Sequence, residues 1–77
     1  MSYLAKEADR LQNDELFNKA LDDIRTEALD ALAVADADNK TMILRLQQKV
    51  AVIDEIRATL DRYIVAADVQ ENSGSFA

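Results

Sequence analysis

Between Lys40 and Asp68 one position type returns with the spacing 4, 3, 4, 3, 4, 3: Leu46, Val50, Ile53, Arg57, Leu60, Ile64 and Ala67. Such a heptad seam lies along one face only if the segment is a long helix packed on another helix. A second column, Met42, Lys49, Ile56 and Tyr63, runs beside it at seven-residue steps. The apolar face is therefore wider than one thin partner helix covers, which makes this helix an assembly surface.

The upstream half supplies helices for the seam. Ser2 is placed to cap a short helix from Tyr3 to about Gln12, with Leu4, Ala8 and Leu11 on one face. Extending that frame reaches Glu15 and Asn18, so the stripe fails. A new frame starts at Phe17, six residues after Leu11 and about 120° around a continuous helix. Either the helix breaks at Asn13-Asp14, with Asn13 as the N-cap of the next helix, or it continues and changes partner; a break or kink is the favoured reading. That second helix is expected over residues 14–35. Phe17, Leu21, Ile24, Ala28, Ala31 and Ala35 form its seam, tapering to alanines, so the tightest approach should lie near the turn. Leu29 and Leu32 lie beside them, and Glu15 with Lys19 has the spacing of an ion pair.

Asp36-Ala37-Asp38-Asn39 interrupts the periodicity with turn and capping residues. A connection this short makes its two helices antiparallel neighbours. Residues whose numbers add to about 75 then meet: Ala28 with Leu46, Phe17 near Leu60, Leu11 near Ile64. The expected fold is all-α, an antiparallel helical hairpin with a short extra N-terminal helix and a coiled-coil-like seam. Residues 1–69 form one helical domain, and residues 70–77 a flexible C-terminal tail of polar composition.

Composition narrows the function classes. A chain of 77 residues is near the limit of what one core stabilises, and the usual supports are disulfides, metals or oligomerisation. Cys and His are both absent, which removes disulfides, thiolate sites, the commonest metal ligand and the commonest general base. Oligomerisation is the support left. Residues 1–38 carry ten acids against four bases and residues 39–77 five of each, so the net charge of −6 sits in the first half. That balance opposes direct binding to nucleic-acid backbones and to anionic membranes. No apolar run has the length of a membrane span and no signal peptide precedes the charged start, so a cytoplasmic location is expected.

The polar constellations carry no chemistry of their own. Asp36-x-Asp38-Asn39 matches the opening of a calcium loop, but Thr41 stands where Gly is required and Gln47 where Glu is required. Capping explains these residues better. Adjacent acids such as Asp54-Glu55 point about 100° apart and cannot converge on one bond. Nothing provides an oxyanion hole, a phosphate loop or an activated nucleophile. The sequence thus gives no catalytic, cofactor-binding, metal or small-molecule site, and the chain reads as a non-enzyme.

Arg57 stands alone as a charge in the seam, and two readings stay open. Its stem packs while its head reaches solvent or Asp61, or it pairs across helices or across subunits and fixes register, with Glu15 as the nearest acid within the hairpin.

The run Leu16-Phe17-Asn18-Lys19-Ala20-Leu21-Asp22-Asp23-Ile24-Arg25-Thr26-Glu27-Ala28-Leu29, with Val52-Ile53-Asp54-Glu55-Ile56-Arg57-Ala58-Thr59-Leu60, resembles small helical-hairpin proteins of tailed bacteriophages and prophages. The resemblance spans residues 14–64 and implies a virion-assembly or accessory component, placed in the bacterial host cytoplasm or in the virion. It carries over no functional residue. The expected function is a structural or assembly module that self-associates, or docks on a partner protein, through Leu29, Leu32, Leu46, Ile53, Ile56, Arg57, Leu60 and Tyr63, with Phe76 of the tail as an added anchor. The alternative is an acidic inhibitor whose carboxylates, from Asp9 to Asp30, mimic nucleic acid and block a host nucleic-acid-binding protein.

Overall fold

Each helix start is written in a local polar contact. The Ser2 hydroxyl accepts from the Ala5 amide at 3.1 Å and starts α1, Tyr3–Gln12. Asp14 Oδ1 accepts from the Phe17 amide at 2.7 Å and starts α2, Glu15–Val34. Asn39 Oδ1 accepts from the Met42 amide at 3.2 Å and starts α3, Lys40–Gly74. The computed structural model describes residues 2–74, with side-chain surroundings as far as Ala67. Phe76 lies outside the described residues.

The N-cap of α2 is Asp14, where the sequence suggested Asn13. Asn13 instead closes α1: its amide donates back to Asp9 and Arg10, and its side-chain amide donates to the Asp9 carbonyl at 2.8 Å. Neither Gly nor Pro makes the joint. Asn13 holds φ −100° and ψ 3°, and Asp14 turns to ψ 118°, both with ordinary negative φ. Asn18 fastens the joint from the α2 side by donating to the carbonyls of Gln12 and Asp14, at 2.8 and 2.9 Å.

At the other end, Ala35 leaves the helix for extended backbone, φ −67° and ψ 142°. Asp36 Oδ1 takes the Asp38 amide and the Asp36 carbonyl takes the Asn39 amide, each at 2.9 Å, so the chain reverses within five residues. α3 then continues through Gly74, five residues into the segment expected as a flexible tail. Gln70 and Glu71 are good helix formers, and nothing before Gly74 opposes the helix.

α1 and α2 lie end to end along α3, and both pack on it antiparallel. The molecule is a single layer of helices, 59 × 24 × 13 Å between Cα extremes. Among the described residues the core is one line of six: Ala5, Ala8, Leu21, Ala28, Ile53 and Ala67. Four of these are alanines, which let the helix backbones approach.

The contact line of α1 differs from the expected Leu4–Ala8–Leu11 stripe. Ala5 and Ala8 are buried, Leu11 is half-buried and Leu4 is 53% exposed. The buried line is rotated toward the smaller residues, because alanines admit α3 where leucines would hold it off. Ala5, Ala8 and Ala67 therefore give the far end its own close packing, in addition to Ala28 near the turn.

Candidate functional site

Three cross-helix contacts define one side of the layer. Arg57 Nη2 donates to Asp22 Oδ1 at 2.6 Å, and more distantly to the Asn18 carbonyl at 3.4 Å. Arg25 Nε donates to Asp54 Oδ1 at 2.9 Å, and Gln12 donates to Asp61. The Arg25 guanidinium holds the Asp54 carboxyl below its usual range, and Asp54 in turn raises Arg25, each chiefly through that hydrogen bond.

Arg57 thus pairs across the helices, but with Asp22, not with Glu15 or Asp61. Helix side chains lean toward their own N-terminus. On antiparallel α3 that lean carries the Arg57 head toward the turn, which is toward Asp22 and away from Glu15. Arg25 leans the opposite way and so reaches Asp54. The expected Glu15–Lys19 pair is likewise replaced: Lys19 bonds Asp23 at 2.8 Å.

Successive residues on a helix are about 100° apart. Leu11, Ile24 and Ile56 each stand one position before Gln12, Arg25 and Arg57, so they turn to the other side of the layer. Seven-residue steps from Ile24 add Phe17 and Ala31, and steps from Ile56 add Lys49, Met42 and Tyr63. This open side is apolar along most of its length. Ile24 is 39% exposed, Met42 48% and Tyr63 38%, while Phe17, Ile56 and Leu11 are half-buried. Val52 at its α3 edge is 52% exposed. Near the turn the open side dips into a groove of about 420 Å³ along Asn39, Thr41, Met42, Arg45, Leu46 and Lys49.

The expected partner-binding residues fall into three groups. Ile53 is buried within the chain, and Leu46 and Leu60 are half-buried in the same seam. Ile56 and Tyr63 lie together on the open side. Leu29 and Leu32 stand one heptad beyond Asp22 and Arg25, so they share the ion-paired side with Arg57. The residue that sequence reasoning missed is Asn18, which ties α1 to α2 and offers its carbonyl to Arg57. Its signal was present: an amide side chain four residues after an N-cap Asp.

Among the described residues no helix is long and apolar enough to cross a membrane, and no group of three or more His, Cys, Asp or Glu side chains is gathered as a metal would require. Comparison with protein families, with characterised proteins and with solved structures finds no match for the chain.

Proposed function

We propose that the chain is a non-enzymatic assembly module whose missing second layer is supplied by another protein molecule, first of all a copy of itself. The observation that carries this reading is the single layer. A stable domain buries its apolar faces between two layers, and here, among the described residues, the apolar side of the helical layer has no cover. The radius of gyration is 17.2 Å, against about 11.5 Å for a compact chain of this length. The accessible surface is 5875 Å², against roughly 4,700 Å² for a compact chain of this mass. The excess, roughly 1,200 Å², is more than the roughly 800 Å² that one partner contributes to a standard stable interface.

The resemblance to small phage helical-hairpin proteins sets this reading among virion-assembly or accessory components. The competing reading as an acidic nucleic-acid mimic draws less support. Of the acids it would use, Asp22 is tied to Arg57 and Asp23 to Lys19, and a carboxylate paired with a cation is a poor stand-in for a bare phosphate.

The test is sedimentation or light scattering of the isolated protein from low to high micromolar concentration, with thermal melts on the same samples. Self-association predicts at least twice the 8.6 kDa chain mass and a melting temperature that rises with concentration. A cooperative, concentration-independent monomer across that range rules it out.

A further inference from the structure

We propose that two copies pack open side to open side about a two-fold axis parallel to the helices, so that α3 of each lies on α2 of the other. The proposal rests on the self-association argued above and adds its geometry.

The argument is one of charge and level. On the open side α3 offers Arg45 and Lys49, and α2 offers Glu27. All three are exposed, and none makes an ion pair among the described residues. A two-fold axis along the helices keeps every residue at its own height. What stands level with Lys49 within one chain is therefore what Lys49 meets in the other. The contacts 18–57, 22–57 and 25–54 set that level. Counted from them, Lys49 is level with residues 26–30, which include Glu27. Arg45 and Met42 are level with the end of α2.

Shape agrees with charge. The groove has an apolar floor of Met42 and Leu46 and a cationic rim of Arg45 and Lys49. Glu27, Ala31 and Val34 form a stripe on α2 at helical spacing: one acid, one small residue, and a valine that is 85% exposed. Seating this stripe in the neighbour's groove covers Val34 and places Glu27 beside Lys49. The same stacking brings Val52 and Ile56 of α3 over Ala20 and Ile24 of the other α2. Turning the axis across the helices would instead lay α2, which carries five acids against two bases, on another α2.

The pairing between copies has a signature that pairing within a chain cannot imitate. Lys49→Glu and Glu27→Lys are made singly in the full chain. Each alone sets like charges together twice per dimer and should raise the dimer dissociation constant roughly tenfold or more. An equimolar mixture of the two should form a heterodimer with affinity near wild type, because both contacts are then of opposite sign. Circular dichroism checks that each variant keeps its helicity, as exposed positions should. Glu55→Lys, on the outer face of α3, controls for net charge and should leave association unchanged.

Recovery in the mixture supports the arrangement. A wild-type dimer with two single variants that associate normally, or with variants that fail to recover on mixing, overturns the geometry and leaves self-association standing. A wild type that stays monomeric overturns both.

Discussion

Removing Arg57 tests how the seam charge is used, and the structure sets the scale. Its pair with Asp22 is short, but the Arg57 side chain is 34% exposed and that of Asp22 is 65% exposed. A pair this wet belongs with surface ion pairs, about 0.2–1 kcal/mol by double-mutant cycle. The 3–5 kcal/mol lost on breaking a buried pair does not apply. Arg57→Leu keeps an apolar stem in the seam and loses only the head-group contacts to Asp22 and the Asn18 carbonyl. The variant should fall within about 1 kcal/mol of wild type, which is at most ~4–8 °C in melting temperature for a chain of this size. Asp22→Ala should cost no more than about 1 kcal/mol. The assay is a thermal and urea melt of wild type, both singles and the double, at one fixed protein concentration, because association itself adds stability. Since Arg57 faces the ion-paired side, Arg57→Leu should also leave the oligomeric state unchanged by light scattering. A coupling of ~3 kcal/mol or more would refute the reasoning, as it would mean the pair is desolvated. So would a changed copy number, which would mean that Arg57 fixes assembly.

The remaining expectations concern core, caps and pH. Ile53→Ala should lose ~2–5 kcal/mol in urea melts, as the large buried side chain among the described residues of α3; Ala28→Leu should lose ~1–3 kcal/mol by forcing α2 off α3. Asp14→Ala and Asn39→Ala should each cost about 1 kcal/mol, read by the loss of helical circular dichroism on heating. The folded-state pKa of Asp54 is depressed by the Arg25 hydrogen bond, so its contribution is present above the ordinary carboxylate range and lost as pH falls through the folded value. An acid titration of stability should show this drop in wild type and a smaller one in Asp54→Asn; equal drops would sink the assignment.

The features legible in the sequence are those set by neighbours in the chain. Ser2 and the Asp36–Asn39 turn act through hydrogen bonds that span two or three residues, so their residue types and order reveal them. The heptad seam reveals α3 as a helix packed on another helix, and the short Asp36–Asn39 connection makes that neighbour antiparallel. What depends on level and lean was not legible. Leu4, Ala8 and Leu11 satisfy a helical stripe as well as Ala5 and Ala8 do, and only the approach of α3 chooses the alanines. Glu15 is as close to Arg57 as Asp22 is when residues are counted across a hairpin without lean. The single layer was hidden too, because an apolar stripe does not say whether its cover comes from the same chain.

The two sides of that layer differ in a way that limits how copies can assemble. The side with Asp22–Arg57 and Arg25–Asp54 already satisfies its charges within the chain, and covering it would strip water from two ion pairs for little return. The side with Ile24, Ile56 and Tyr63 has, among the described residues, no ion pair to strip, and its charges, Arg45 and Lys49 on α3 and Glu27 on α2, are of opposite sign on opposite helices. Leu29 and Leu32 therefore cannot serve the same interface as Ile56 and Tyr63, although all four looked equivalent as apolar flanks of a seam. If both sides associated, each copy would present a fresh face to the next and the stack would grow without closing. With one side held by ion pairs, the association proposed through the other would close at two copies. The positions of Arg25 and Arg57, each one residue after an isoleucine of the open side, are what separate the two faces.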